Sequence, residues 1–500
     1  CAGASSPSVR PEPGGPAGAA ESRDQAQAAP QGPDRAEVPT PGPAPELRLP
    51  EQRHFTLANG MRVRLVVYDR LPIVALNLVV NAGAMHDPPG RPGLASFTAG
   101  MLTEGTQTRS AFRISEEIAA IGGSLGAGAG FDSASLTGAS LSRHLPKLLE
   151  LFADVAMAPA FPKSDFARVL DVRLVALLQQ RDQPGAVAGK AFANEFWGPH
   201  PYGHWVMGTE ASLQGMRPAD LARFHARYWV PANAELVVVG DVAEGELRAA
   251  LERTLGRWKK GAPAPVTADR PPAAPKKVVL IEKEDAPQAY VLLGMPGLQR
   301  SSPDYVPAAV AFHILGGGSS SRLFRTLREE KGYTYGIYAS GEARKLAGAS
   351  VIAGNVKAEV TGAALRDLLA EVEKVRTTPP TPAELEDAKN ALVLGLPAGF
   401  ATAGGIAGHL AELVVHGLPD DYWNRFADEV RKVTADDVVR VAQRYLDPAR
   451  LTTVMVAEPD VVKAQLADLP LGPVEVRPSP AAAPARAPRA APEVGAAGVR

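Results

Sequence analysis

A repeated stretch constrains the architecture of this chain more than any other feature of its sequence. Residues 220–232, DLARFHARYWVPA, match residues 437–449, DVVRVAQRYLDPA, with Arg, Tyr, Pro and Ala recurring at one constant offset of 217 residues. Each copy runs from a helical pattern through a turn into an apolar strand, 236–239 in the first copy and 453–456 in the second. A fixed offset across helix, turn and strand indicates two copies of one α+β domain.

Composition divides the chain around these two copies. Residues 261–276 are rich in Pro and Ala, which is typical of a linker between an N-terminal domain, 51–260, and a C-terminal domain, 277–470. Residues 1–50 and 471–500 share that composition, and such segments bury too little apolar surface to offset the entropy lost on ordering. We therefore expect a disordered tether before the first domain and a disordered tail after the second.

Apolar periodicity places helices within this frame. It predicts helices over 145–157, 165–181 and 218–228, with the second stopped by Pro184. No run of about 18 apolar residues exists, so no transmembrane helix is predicted. The formal net charge of −1 creates no overall field that would favour nucleic acid.

Cys1 is the single cysteine of the sequence. Disulfides and cysteine-based zinc sites within the chain are therefore excluded. A cysteine at position 1, followed by Ala2 and a Pro/Ala-rich tether, resembles a mature bacterial lipoprotein. That resemblance implies a lipid anchor at Cys1 and a location in the cell envelope, on the outer membrane facing the periplasm. The alternative is that position 1 is a trim point.

Several motifs point together to one family. Residues 91–106, RPGLASFTAGMLTEGT, have the pattern of a loop, a helix and a glycine stop, and they follow LANGMRV at 57–63. PYGH at 201–204 and GTE at 208–210 come later, and the second half contains GGSSSRLFRTLREEKGYTY at 317–335. In combination these motifs resemble the pitrilysin/insulinase/mitochondrial-processing-peptidase family of metallopeptidases, the inverzincins, over residues 52–460. The resemblance implies two similar α+β domains, each a mixed sheet with helices on one face, forming a clam-shell chamber around an unfolded peptide.

Active members of that family carry H-x-x-E-H on the helix that follows the Gly-Leu-Ala segment. Two histidines four residues apart share one helix face and bind zinc, and the glutamate acts as general base. Here the three positions hold Ser96, Ala99 and Gly100, and the downstream glutamate of the family would fall at 176–178, where there is no acid. We therefore expect this chain to bind no zinc and to have no peptidase activity alone.

One functional pair of the family is present. Arg328 and Tyr335 are seven residues apart, and the resemblance implies that they bind the substrate backbone across the cavity from the zinc. A guanidinium and a phenol can hydrogen-bond a peptide carbonyl and stabilise the oxyanion as it forms. The alternative is that Arg328 pairs with Glu329 or Glu330 on its own helix while Tyr335 starts a buried strand.

Other candidate residues have structural interpretations. Pro201 and Gly203 argue against a helix that would align His200 with His204, so a structural loop is favoured. Arg344 and Lys345 lie near the predicted strand after Tyr335 and could contact an acidic substrate, but solvated surface is the default for both.

These observations favour a non-catalytic partner subunit. A separate homologous chain would carry the zinc and the general base, while this chain would bind unfolded peptide substrates through Arg328 and Tyr335. The first alternative is a structural or peptide-binding protein of the same fold with no role in proteolysis. The second is a peptidase with an unrecognised metal site.

Overall fold

The structure is a computed structural model that describes residues 47–262 and 276–480. Cys1 and most of the predicted tether and linker lie outside the described residues, as do residues 481–500. Lipid attachment and the disorder of these segments therefore stay predictions. Residues 47–480 belong to one compact unit.

The first half of this unit contains six strands and eight α-helices. The strands are β1 (Gln52–Thr56), β2 (Arg62–Val67), β3 (Ile73–Val80), β4 (Ser124–Ala129), β5 (Ala134–Leu141) and β6 (Ala234–Gly240). The helices are α1 (Leu94–Gly100), α2 (Ala111–Ala120), α3 (Leu145–Met157), α4 (Lys163–Gln179), α5 (Pro184–Phe192), α6 (Glu210–Gln214), α7 (Pro218–Tyr228) and α8 (Glu244–Arg253). A π-helical turn, Ala193–Trp197, extends α5.

The second half contains the remaining described elements. The strands are β7 (Lys277–Glu282), β8 (Gln288–Pro296), β9 (Gly336–Ala343), β10 (Gly348–Lys357), β11 (Thr452–Ala457) and β12 (Val474–Arg477). The helices are α9 (Tyr305–Gly316), α10 (Arg322–Phe324), α11 (Thr361–Thr377), α12 (Pro382–Leu394), α13 (Leu396–Gly399), α14 (Ala403–His416), α15 (Tyr422–Lys432), α16 (Ala435–Tyr445) and α17 (Pro459–Val462). None of the described helices alone has both the length and the apolar composition of a membrane span. The bent pair Pro382–Gly399 and Ala403–His416 meets both criteria only when its members are taken together.

The two sheets have the same strand order, which confirms the two copies of one α+β domain. The first sheet runs β1-β2-β6-β3-β5-β4, and the second runs β12-β7-β11-β8-β10-β9. Five strands are equivalent in the two sheets, β2-β6-β3-β5-β4 in the first and β7-β11-β8-β10-β9 in the second. In each set the strand that comes first in the chain pairs in parallel with the strand that comes last, β2 with β6 and β7 with β11. The other shared pairings are antiparallel, so both sheets are mixed, as predicted.

The edge strands β1 and β12 are not equivalent, and β12 corrects the predicted tail. Composition predicts a disordered tail over 471–500, whereas Val474–Arg477 pair in parallel with β7. Val474 and Val476 both pack against the core of the second half. Two valines at the period of a strand are enough to add an edge to a sheet even within a Pro-rich stretch. The predicted tether likewise ends earlier, because Leu47 and Leu49 pack against the same core.

Each half places one helix on the outer face of the other half's sheet. α5 packs on β8 and β11, and α14 packs on β3 and β6. Phe192 of α5 shares a core with Val454 of β11, while Leu410 of α14 shares a core with Val237 of β6. Both β6 and β11 are consequently buried along their whole length. Helix α5 is not predicted from the sequence, because Pro184 is interpreted only as a helix stop. A proline is also favoured in the first turn of a helix, which is where Pro184 lies in α5.

The turn between β9 and β10 also lies against the first half. The Arg344 guanidinium carbon lies 3.8 Å from the ring centroid of Phe131. The backbone N–H of Lys345 donates to the Asp132 carboxylate at 3.1 Å, and the Tyr202 hydroxyl donates to the same carboxylate. The expectation of solvated surface is therefore wrong for Arg344, whose side chain is only 18% exposed. The Lys345 side chain is exposed, as expected, and only its backbone N–H bonds to Asp132. Aromatic rings and a buried carboxylate from the other half supply partners that the local sequence does not contain.

A bidentate ion pair anchors the segment that leads to the predicted Arg328–Tyr335 site. Arg322 is buried, and its Nε and Nη2 atoms donate to the two Glu384 carboxylate oxygens at 2.8 and 3.0 Å. Glu384 also forms a capping box with Thr381 at the start of α12. This pair therefore ties the start of α10 to the start of α12.

The packing of α5 on the sheet of the second half, which we call the helix exchange together with the packing of α14 on the first sheet, predicts that Phe192→Ala strongly lowers stability. This buried ring lies against Gly294 of β8 so closely that a Cβ at position 294 would be 2.1 Å from it. We expect the free energy of unfolding to fall by about 3–5 kcal/mol, as for other buried phenylalanines. Phe112→Ala is the matched control because that ring is 77% exposed, and it should change the value by less than about 0.5 kcal/mol. Urea unfolding measures the free energy of unfolding of both variants. Equal decreases for the two would contradict a stabilising role for the packing of α5 on the second sheet.

The Arg322–Glu384 pair predicts a pH-dependent effect. The Arg322 guanidinium lowers the pKa of Glu384 from 4.5 to about 2. Because the folded-state pKa lies below the unfolded value, this stabilisation is complete above about pH 4.5 and is lost as the pH falls towards 2. Glu384→Gln should cost about 1.5–3 kcal/mol at pH 7, and its difference from the wild type should shrink through that window. Glu429→Gln, in an exposed pair with Lys432, should cost under about 1 kcal/mol. Thermal melts from pH 7 to 2 test this, and a constant difference would contradict it.

Candidate functional site

The helix that resembles an active-site helix begins on a buried carboxylate. Asp87 accepts hydrogen bonds from the backbone N–H groups of Gly93 and Ala95, both at 2.7 Å. These groups lie at the start of α1, where an anion satisfies unpaired donors and complements the helix dipole. Burial raises the pKa of Asp87, and the hydrogen bond from His204 at 3.1 Å opposes that rise. His204 therefore helps to hold the Asp87 carboxylate in place at the start of α1.

The histidines at 200 and 204 have different partners. His200 accepts the backbone N–H of Tyr202 at its Nδ1 atom, at 3.1 Å, and stacks near Trp197. His204 instead binds Asp87, in the 198–207 segment that contains no α-helix. This arrangement agrees with a structural loop and not with a pair of ligands on one helix face.

The residues at the motif positions do not fit a zinc ion. The Ser96 hydroxyl donates to the backbone oxygen of Val206 at 2.7 Å, and Ala99 and Gly100 have no ligating side chain. Leu177, where the resemblance expects a glutamate, is buried and apolar. Imidazole, carboxylate and thiolate are the side-chain ligands that zinc prefers, and none is present at these positions. Across residues 47–262 and 276–480, no group of three or more His, Cys, Asp or Glu residues is arranged to hold a metal ion.

A guanidinium lies against the motif positions. Arg173 of α4 donates from Nη2 to the backbone oxygen of Ser96 at 2.6 Å and from Nη1 to the Ser96 hydroxyl at 3.3 Å. Its guanidinium carbon lies 4.8 Å from the ring centroid of Phe97. Burial lowers the pKa of Arg173 to about 10, so the group stays charged at neutral pH. A fixed positive charge here would repel a zinc dication.

Arg173 is not among the site residues predicted from the sequence. The available signal is its position four residues before Leu177, which is one helical turn from the place where the family has a metal ligand. A long side chain one turn away can reach the same region. A single arginine on an amphipathic helix has no pattern that separates it from a solvated residue, so only the structure reveals its contact with α1.

The structure brings Arg328 and Tyr335 together. The Arg328 guanidinium carbon lies 4.2 Å from the ring centroid of Tyr335 and 4.6 Å from that of Phe324. The chain turns back between them through the π-helical turn Arg325–Glu330 and through Gly332, whose φ of +61° is in the left-handed region. The seven-residue spacing therefore places the two side chains in one stack.

The structure does not show the alternative arrangement, in which Arg328 pairs with a neighbouring glutamate and Tyr335 starts a buried strand. No ion pair joins Arg328 to Glu329, to Glu330 or to any other carboxylate in the described part of the chain. Tyr335 precedes β9 and is 79% exposed, so it does not start a buried strand. Both polar ends of the pair are available to a ligand, although their role in binding stays a prediction.

Comparisons with known proteins agree with this geometry. The model for Insulinase (Peptidase family M16) matches residues 65–210, and the model for the Peptidase M16 inactive domain matches residues 216–392. An uncharacterized zinc protease of Mycobacterium leprae is 31% identical over 292 residues, 57% of this chain and 64% of that relative. The match thus spans just under two thirds of that relative's length. An uncharacterized zinc protease of Mycobacterium bovis is 27% identical over 423 residues, 82% of this chain and 94% of that protein.

A solved structure extends the likeness to the whole fold. The crystal structure of a peptidase M16 inactive domain from Pseudomonas fluorescens superimposes with a TM-score of 0.77 at 28% identity. It covers 82% of this chain and 98% of that one. Both sheets and both sets of helices therefore have counterparts in a protein of this family. The chain belongs to peptidase family M16 and lacks the family's H-x-x-E-H zinc motif.

Proposed function

We propose that this chain is the substrate-binding partner subunit of a heterodimeric M16 peptidase. A homologous chain with an intact H-x-x-E-H motif would supply the zinc and the general base. This chain would bind the unfolded peptide substrate and complete the chamber around it. Lipid anchoring at Cys1 and an outer-membrane location remain predictions from the sequence.

The Arg328–Tyr335 stack is the observation that carries this proposal. The rings of Phe324 and Tyr335 hold the guanidinium without occupying its N–H groups, and no carboxylate among the described residues neutralises it. A cation that is held in place but unpaired can donate to a peptide carbonyl in its strongest, charge-assisted form. The exposed Tyr335 hydroxyl is a second donor for the same oxygen.

Such a pair of donors would act mainly by stabilising the transition state of peptide hydrolysis. When water attacks a peptide carbonyl, negative charge develops on the carbonyl oxygen, and donors that are already in place stabilise it. Arg328 and Tyr335 would serve a reaction whose nucleophile is activated on the other chain. The degenerate motif at Ser96, Ala99 and Gly100 supports this division, because this chain has no base at that helix.

Arg328→Ala and Tyr335→Phe test the proposed role. The chain is co-purified with an H-x-x-E-H relative from the same genome, and cleavage of an internally quenched unstructured peptide is followed. We expect each substitution to lower kcat/KM of the pair by about 10²-fold, which is the usual loss when one oxyanion donor is removed. Tyr335→Phe should leave the thermal midpoint nearly unchanged, because that side chain is 79% exposed. Both variants should remain folded, which circular dichroism checks.

Tyr338→Phe is the matched control, because Tyr338 is half-exposed on β9 and is not part of the stack. Unchanged cleavage by the Arg328 and Tyr335 variants would show that the clamp role is wrong. Hydrolysis that never depends on this chain would reject the partner role. It would favour the alternative, a structural or peptide-binding protein of this fold.

Zinc content tests the remaining alternative of an unrecognised metal site. The motif positions lack ligands and face the Arg173 cation, so we expect substoichiometric zinc by elemental analysis of the purified chain. Added zinc should leave the thermal midpoint unchanged, since a ligand raises the midpoint only when it binds the folded state. One zinc per chain that resists dialysis would overturn the assignment.

A further inference from the structure

Arg173 is partly buried and, unlike three buried arginines, has no carboxylate partner among the described residues. Each of those three has a carboxylate oxygen within ion-pair distance: Arg64 with Glu235, Arg300 with Glu412 and Arg322 with Glu384. Arg173 contacts only a hydroxyl, a backbone oxygen and a ring among the described residues. A desolvated charge without a counter-ion is costly, which is why such groups normally occur in pairs.

The surroundings of Arg173 are shaped to keep it in place. Gly100 leaves room for the guanidinium, because a Cβ at position 100 would lie 2.7 Å from Nη2 of Arg173. The Ser96 hydroxyl gives its proton to Val206 at 2.7 Å, so its oxygen faces Arg173 as an acceptor. Two of the three degenerate motif positions thus accommodate the same cation.

The remaining donors of Arg173 can serve a ligand. A guanidinium carries five N–H groups, and two contacts to Ser96 account for only part of them. The side chain is half-buried, which keeps part of it open to solvent. The guanidinium fork matches the two oxygens of a carboxylate and binds them in parallel.

We propose that Arg173 binds a carboxylate of the peptide that this protein holds, at the position where active relatives hold zinc. The position that forms the hydrolytic centre in active relatives would here form a subsite that recognises an acidic group. The carboxylate can come from the peptide C-terminus or from an Asp or Glu side chain. This inference rests on the proposed peptide-binding function and adds the chemistry of what is bound.

Four versions of one fluorescein-labelled unstructured decapeptide test the proposal. They contain a central Glu with a free C-terminus, Gln in place of Glu, a C-terminal amide, and both changes together. Binding to the full chain is measured by fluorescence anisotropy at low ionic strength. We expect loss of the carboxylate that Arg173 binds to raise Kd about 10- to 100-fold, which is the range for hydrogen bonds to charged groups. The Gln and amide versions show which source is used.

Arg173→Gln should remove this carboxylate dependence, so that all four peptides bind with similar affinity. Arg168→Gln is the matched control, since it removes one positive charge from the same helix at an exposed position. It should preserve the dependence. A purely structural role for Arg173 would change the melting temperature without making affinity depend on the carboxylate.

Three results would overturn the inference. Equal affinity of the wild type for all four peptides would reject carboxylate recognition, and this comparison needs no folded variant. Carboxylate dependence that survives Arg173→Gln would place the recognition elsewhere. In both cases the peptide still binds, so the proposed function stands. Failure of all four peptides to bind would reject peptide binding and this inference together.

Discussion

The exchange of one helix between the two halves is the contact on which the rest of this structure depends. Each sheet has an apolar face that its own helices do not cover, and α5 and α14 cover those faces reciprocally. Strands β6 and β11 are buried along their whole length for this reason, and both are rich in valine, as is typical of strands covered on both sides. The same interlock presses the β9–β10 turn against Asp132 and Phe131. It keeps α1 and the Arg328 segment in one compact unit.

Two arginines are the candidate ligand-binding groups of this unit. Arg173 and Arg328 each lie against an aromatic ring, and neither has a carboxylate partner in the described ranges. Elsewhere in the interior, arginines such as Arg300 and Arg322 are paired, so their charges are neutralised within the fold. Unpaired cations at both the degenerate motif and the predicted clamp are what the proposed binding of peptide oxygens requires.

Much of this architecture could be predicted from sequence, and the failures have physical causes. The repeat, α3 and α7 follow from periodicity and turn chemistry. Arg328 and Tyr335 follow from the resemblance to the family, whose members carry the same pair seven residues apart. What was missed depends on contacts distant in sequence. α5 is stabilised by the other half's sheet, β12 by β7, and Arg344 by groups of the first half. Arg173 was missed because its partner, Ser96, is on another helix.

The glycine at position 100 makes the loss of the H-x-x-E-H motif hard to reverse. Histidine there would displace the Arg173 guanidinium, which lies 2.7 Å from where its Cβ would be. Restoring the lost centre would need two imidazoles and a base on α1, an acid near Leu177 on α4, and the departure of Arg173. No one of these changes restores a metal site by itself, and the partial steps disturb contacts that now stabilise both helices. A metal site on α1 is therefore several coordinated substitutions away from the present sequence.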